Sequence, residues 1–170
     1  MLTKQEFLEN PVRMVRSEGI KGKILMMYPS DPEDGNSYPL MYAREKEIIK
    51  KRVKEVCERY KPKKVLEIGY GLGYTAQQFQ DCGIKSHTIV EAHPDIYKNA
   101  VKWSKLHDNV KVIHSFIQNL NINEKDYDII FDDRFEIVHD LKGVTTPRYK
   151  VKGNEWEQLY SKEDRFELTK

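Results

Sequence analysis

VLEIGYGLGYTAQQF, residues 65–79, decides the fold of this 170-residue chain. A short apolar run, Lys64 to Ile68, reads as a buried strand. It passes through glycines at 69, 71 and 73 into a helical segment, Thr75 to Cys82, that closes at Gly83. A strand entering a helix through a glycine turn leaves backbone N–H groups at the helix start, and the missing side chains let a ligand approach the main chain. Glu67 lies two places before the first glycine. The dinucleotide fingerprint G-x-G-x-x-G would require glycine at 74, where Tyr74 stands. A carboxylate beside the turn repels a pyrophosphate and suits a ligand that carries an ammonium and a sulfonium. The residues therefore favour S-adenosylmethionine, with a plain tight turn capped or ion-paired by Glu67 as the alternative.

Working outward, His87 to Val90 reads as a second strand that ends at Glu91, where a carboxylate can accept hydrogen bonds from both ribose hydroxyls of an adenosine. Pro94 to Leu106 is a helix with proline in its first turn, Val110 to His114 a third strand and Tyr127 to Phe131 a fourth. Strands alternating with helices imply a mostly parallel, Rossmann-like α/β sheet with helices on both faces. Upstream, Ile48, Ile49, Val53, Val56, Cys57 and Tyr60 recur at helical spacing from Arg44 to Tyr60. Thr3 and Glu6 form a capping-box pattern that starts a short helix ending before Pro11. The apolar run Ile24 to Tyr28 leads into PSDPEDGNSYP, residues 29–39, whose turn-forming residues predict a surface loop.

The length allows one domain. It divides into an N-terminal lid or substrate segment (1–43), a Rossmann-like core (44–133) and a short extension (134–170) with strand-like scraps at 135–138, 149–151 and 166–168. Basic and acidic side chains number 29 and 27, too even for a strong electrostatic footprint on nucleic acid. No apolar run is long enough to span a bilayer, and residues 1–11 lack the apolar core of a signal peptide. Cys57 and Cys82 form no C-x-x-C pair, which fits a reducing cytoplasm. The histidines, at 87, 93, 107, 114 and 139, lack zinc-ligand spacing, so Asp132, Asp133 and His139 are not expected to hold a metal.

VLEIGYGLGYTA (65–76) followed by HTIVEAHPDIYKNAVKW (87–103) resembles motifs I and II of class I S-adenosylmethionine-dependent methyltransferases. The run Glu91 to Asp95, with Trp103 closing the next helix, is similar to the guanidinoacetate and arginine N-methyltransferase branch, and the resemblance covers residues 60–133. It implies that Glu67, Gly69, Gly71 and Gly73 hold the methionine part and Glu91 the ribose. It also implies that Asp132, ending YDIIFDD (127–133), faces the nitrogen of a small amino or guanidino acceptor, with Asp133 beside it. Phe116 occupies the place where many members read adenine with an acid, and lines the adenine pocket or the core. SYPLMY (37–42) resembles a Trp-Glu-x-Pro-x-Met segment of that branch without its acid, and places Tyr38 and Met41 over substrate. Tyr28, Tyr38 and Tyr42 offer aromatic surface to a sulfonium, or pack as ordinary core.

The family sheet has seven strands, and 37 residues after Asp133 are too few for its last three, so the sheet is shortened or completed differently. Such a sheet leaves an edge that invites a homo- or hetero-oligomer. Two further readings follow: an S-adenosylmethionine-binding subunit without an acceptor site, and an enzyme that degrades the cofactor.

Overall fold

The computed structural model describes residues 2–16, 22–27, 38–134 and 147–161. The expected elements at 28–37, at 135–138 and at 166–168, together with Tyr28 and His139, lie outside the described residues.

Thr3 caps helix α1 (Lys4–Glu9) in the reciprocal capping box expected of it. Strands β1 (Val12–Arg16), β2 (Lys23–Met27) and β3 (Tyr38–Tyr42) then form a small antiparallel sheet in that order. After a 3₁₀ turn at Ala43–Glu45, helix α2 (Lys46–Tyr60) buries Ile49, Val53, Val56 and Cys57 and stops at Lys61 in the left-handed conformation. Strand β4 (Lys64–Ile68), helix α3 (Tyr74–Asp81), β5 (Ser86–Glu91), α4 (Pro94–Ser104), β6 (Val110–His114) and β7 (Ile129–Asp132) follow within a few residues of their predicted bounds. The large sheet closes with β8 (Arg148–Val151) and β9 (Trp156–Gln158).

Its order is β6-β5-β4-β7-β8-β9. The first four strands are parallel, while β8 pairs antiparallel with β7, and β9 antiparallel with β8. Among the described residues, the sheet is thus extended beyond β7 by an antiparallel hairpin, which needs few residues, where parallel crossovers need a dozen or more each.

Val65, Ile89, Ile129 and Phe131 face α2, α3 and α4 in the main core, joined there by Leu25 and Met41 of the small sheet. The alternate residues Leu66, Ile68, Val90 and Ile130 face the other way. They are covered by Ile117, Leu120 and Ile122 from the β6–β7 connection, with its two 3₁₀ turns, and by Trp156. Asp128 Oδ2 accepts the backbone N–H groups of Lys63 (2.8 Å) and Lys64 (2.9 Å), tying the start of β7 to β4. All four parallel strands thus end at one crevice, the usual ligand position in such sheets. No helix among the described residues is long and apolar enough to cross a membrane.

Candidate active site

A cleft opens at the C-terminal ends of β4, β5 and β7, walled by Gly69, Gly71, Glu91, Phe116, Asp133 and Met41. Gly69, at φ +89°, donates its N–H to Val90 O at 2.9 Å, and a Cβ there would stand 2.9 Å from the carbonyl oxygen of Asp133. Gly71, at φ +53°, would put a Cβ 2.9 Å from Met41 Sδ. Both positions combine left-handed backbone with close approach, which only glycine meets without strain. The turn therefore brings main chain to the cleft surface, a cradle that any side chain would fill. Gly73 caps α3 at φ +75° and does not line the cleft.

Glu91 is the fixed acceptor of this site, at 5% exposure. Its Oε2 accepts the N–H of Tyr70 at 2.8 Å, and its Oε1 the N–H of His93 at 2.7 Å. Burial pushes its carboxyl above the usual range, against the pull of the backbone N–H bonds of Tyr70, His93 and Ala92. Each oxygen keeps lone-pair capacity for a hydroxyl. A buried, oriented carboxylate beside a glycine cradle fits the ribose and methionine parts of S-adenosylmethionine. Phe116 adds an apolar wall, packed against Phe7 with ring centroids 5.9 Å apart. Phe7 also lines the cleft and was not legible as a site residue, since it occupies an ordinary core position of a short amphipathic helix.

Besides Gly73, two acids expected at the site stand elsewhere. Glu67, at 0% exposure, lies on the helix-facing side of β4, where His87 Nε2 is 2.9 Å from its Oε2. Gln80 Nε2 approaches His87 Nδ1 at 3.3 Å. An amide donor at Nδ1 assigns the imidazole proton to Nε2, directed at the carboxylate. Glu67 Oε1 is buried without a hydrogen-bond partner among the described residues. Strand alternation sends Glu67 to the same side as Val65, away from the cleft.

Asp132 projects to the opposite, α-helix-free face, again at 0% exposure. Arg134 Nε donates to its Oδ1 and Nη2 to its Oδ2, each at 2.7 Å, and Arg148 donates to Oδ2 from Nε (3.2 Å) and Nη2 (2.9 Å). The next residue, Asp133, turns into the cleft while its N–H bonds Ile68 O at 2.9 Å. Met41 reaches the cleft as expected, and its Sδ accepts the N–H of Leu72 at 3.3 Å. Tyr38 opens β3 in register with Met27. Arg134 and Arg148 were missed because 13 residues separate them in the chain; only the antiparallel β7–β8 pairing, Asp132 opposite Arg148, brings them to one carboxylate.

The family model for ribosomal RNA adenine dimethylase matches residues 36–154. No curated protein matches the chain. Among solved structures, the Bacillus subtilis YcgJ protein is 22% identical over 47% of this chain and 36% of its own, with a TM-score of 0.40. The Trypanosoma brucei PRMT1 enzyme–prozyme complex with AdoHcy is 20% identical over 51% and 28%, at 0.44. M. jannaschii TYW2 in complex with AdoMet is 14% identical over 71% and 50%, at 0.43. The chain thus spans between about a quarter and a half of the length of these structures.

Proposed function

The chain belongs to the ribosomal RNA adenine dimethylase family, and on that premise we propose that it transfers a methyl group from S-adenosylmethionine to the exocyclic amino group of an adenine in RNA. The observation that carries this reading is the cleft itself. Gly69, Gly71, Glu91, Phe116, Met41 and Asp133 all fall within the matched span and converge on one crevice.

When bound, the cofactor supplies an electrophilic methyl on a sulfonium. The chain's part is to hold both partners and keep water out. Glu91 takes the ribose hydroxyls, the Gly69–Gly71 main chain runs beside the methionine part, and Phe116 with Phe7 walls the adenine. Met41 lies over the glycine turn, where its sulfur and the cleft's apolar lining exclude solvent. Asp133 is the carboxylate on the acceptor side. It is assigned to accept an N–H of the incoming amino group, fixing its direction, offsetting the positive charge as the N–C bond forms and the S–C bond breaks, and accepting the proton that the nitrogen then loses.

This assignment departs from the one expected of the sequence, in which Asp132 faced the nitrogen of a small amino or guanidino acceptor. Asp132 has its oxygens engaged by two guanidinium groups on the other face of the sheet, which takes away the main support for a small guanidino acceptor.

The test is incubation of the full chain with methyl-labelled S-adenosylmethionine and either RNA carrying unpaired adenines or a mixture of small guanidino and amino compounds. Label recovered in N6-methylated adenosine after digestion supports the reading. Label confined to the small compounds overturns it in favour of the guanidino branch.

A further inference from the structure

Asp132, Arg134 and Arg148 form a triad with two cations and one anion. Asp132 is fully buried, while the side chains of Arg134 and Arg148 are 23% and 33% exposed. The carboxylate engages the Nε and Nη2 edge of each guanidinium. What remains of both groups, each Nη1 included, has no hydrogen-bond partner among the described residues. Arg148 is further fixed by Trp156, whose ring centroid lies 4.3 Å from its Cζ. Lys150, two residues along β8, stands 6.0 Å from the same ring and pairs with Glu124 at 3.0 Å. Among the described residues of this cluster, three cations, Arg134, Arg148 and Lys150, face two carboxylates, Asp132 and Glu124. Arg134 links the cluster to the chemistry, because it lines both the cleft and the groove on the α-helix-free face that runs to Trp156.

Guanidinium groups held in a fixed plane by a buried carboxylate, each still partly open to solvent, match a phosphate. An aromatic ring beside them suits a strand whose bases are unstacked. We propose that Arg134 and Arg148, oriented by Asp132, bind a backbone phosphate of the RNA acceptor next to the nucleotide whose adenine enters the cleft. The inference rests on the RNA-acceptor reading above, and it assigns the acceptor path to the antiparallel β8–β9 end of the sheet. The near-even charge of the whole chain does not bear on it, since phosphate recognition depends on local donors.

The experiment measures binding of a fluorescently labelled single-stranded oligoadenylate to the full chain in the presence of S-adenosylhomocysteine, by anisotropy at increasing salt. It compares wild type, Arg148→Gln and Arg148→Lys. Arg148 does not line the cleft, and Asp132 keeps its pair with Arg134 in both variants. Losing one phosphate contact is expected to weaken binding roughly tenfold and to reduce the slope of log affinity against log salt by about 0.7. Arg148→Lys should restore the slope, while melting temperature and cofactor affinity hold. If Arg148→Gln binds with unchanged affinity and slope while wild type methylates RNA, the phosphate site is overturned and the acceptor reading stands. Equal loss in both variants assigns Arg148 to shape and overturns it too. Complete displacement of the strand by AMP would give the pair to a free nucleotide, against the proposal. If wild type neither binds nor methylates RNA but methylates a small amine, both readings fall.

Discussion

Glu67 and His87 form a solvent-free pair at the centre of the helix-facing core, with His87 Nε2 2.9 Å from Glu67 Oε2 and the other carboxylate oxygen unpartnered among the described residues. Burial raises the Glu67 carboxyl above the ordinary range, and the His87 bond only opposes this. A raised folded pKa contributes stability that is complete below the unfolded value, about 4.3, and is lost as pH rises through the folded value.

Glu67→Gln removes that titration. Urea unfolding across this pH range should therefore show the variant gaining on wild type as pH rises. The cost of an unpartnered amide is the same at every pH, so only the slope decides. Cofactor affinity should hold, because Glu67 does not line the cleft. A variant that keeps the wild-type pH slope, or loses cofactor binding, returns Glu67 to the site.

Glu91 gives the opposite pH signature in binding. Its carboxyl is pushed up by burial, and ribose hydroxyls donate more strongly to the ionised form. Affinity for S-adenosylhomocysteine should therefore fall as pH drops through that raised value, beginning above the usual carboxylate range. Calorimetry in buffers of different ionisation enthalpy should show proton release on binding. Glu91→Gln should abolish the pH dependence and weaken binding by about 1–3 kcal/mol. A pH-independent wild type would remove Glu91 from the ribose.

The glycine turn makes a graded prediction. At Gly69 a Cβ meets the backbone carbonyl of Asp133, whose main chain is tied to β4 through its N–H bond to Ile68 O and gives way less readily than a side-chain end. At Gly71 it meets only the end of the flexible Met41 side chain. Gly71→Ala should cost about 1–2 kcal/mol from left-handed strain, and Gly69→Ala clearly more. Thermal unfolding ranks them, and equal losses would place the approach of Asp133 to Gly69 in error.

The fold was legible where period and punctuation agreed. Glycine at 69 and 83 and proline at 94 bounded the elements around β4 and α4, and β4 and β6 match their predicted limits. The small sheet was not legible. β1 reads VRMVR, half exposed along its length, with no apolar face to mark it as a strand. Site assignment failed where it depended on which face of a buried strand a residue takes. In VLEI and IIFD both faces are covered, so the run is continuous and carries no visible alternation. Glu67 and Asp132 went to opposite faces on that ambiguity, while Glu91, at a strand end, needed only its position.

Asp132 and Asp133 are adjacent in sequence and part at the sheet, so their amides should separate stability from turnover. Asp132→Asn removes the carboxylate that Arg134 and Arg148 share and points a neutral amide at two guanidinium groups. Breaking a buried pair costs about 3–5 kcal/mol, and the partial exposure of both arginines brings the expected loss to about 2–3 kcal/mol. Asp133→Asn leaves the triad intact and should cost less stability than Asp132→Asn. Its turnover should fall by roughly 10²-fold, with cofactor affinity retained, as the acceptor loses its charged partner. Melting curves and single-turnover methylation of the two variants give the comparison. If Asp132→Asn stays stable and loses only turnover, the acceptor nitrogen belongs to Asp132, and the triad is opened when substrate binds.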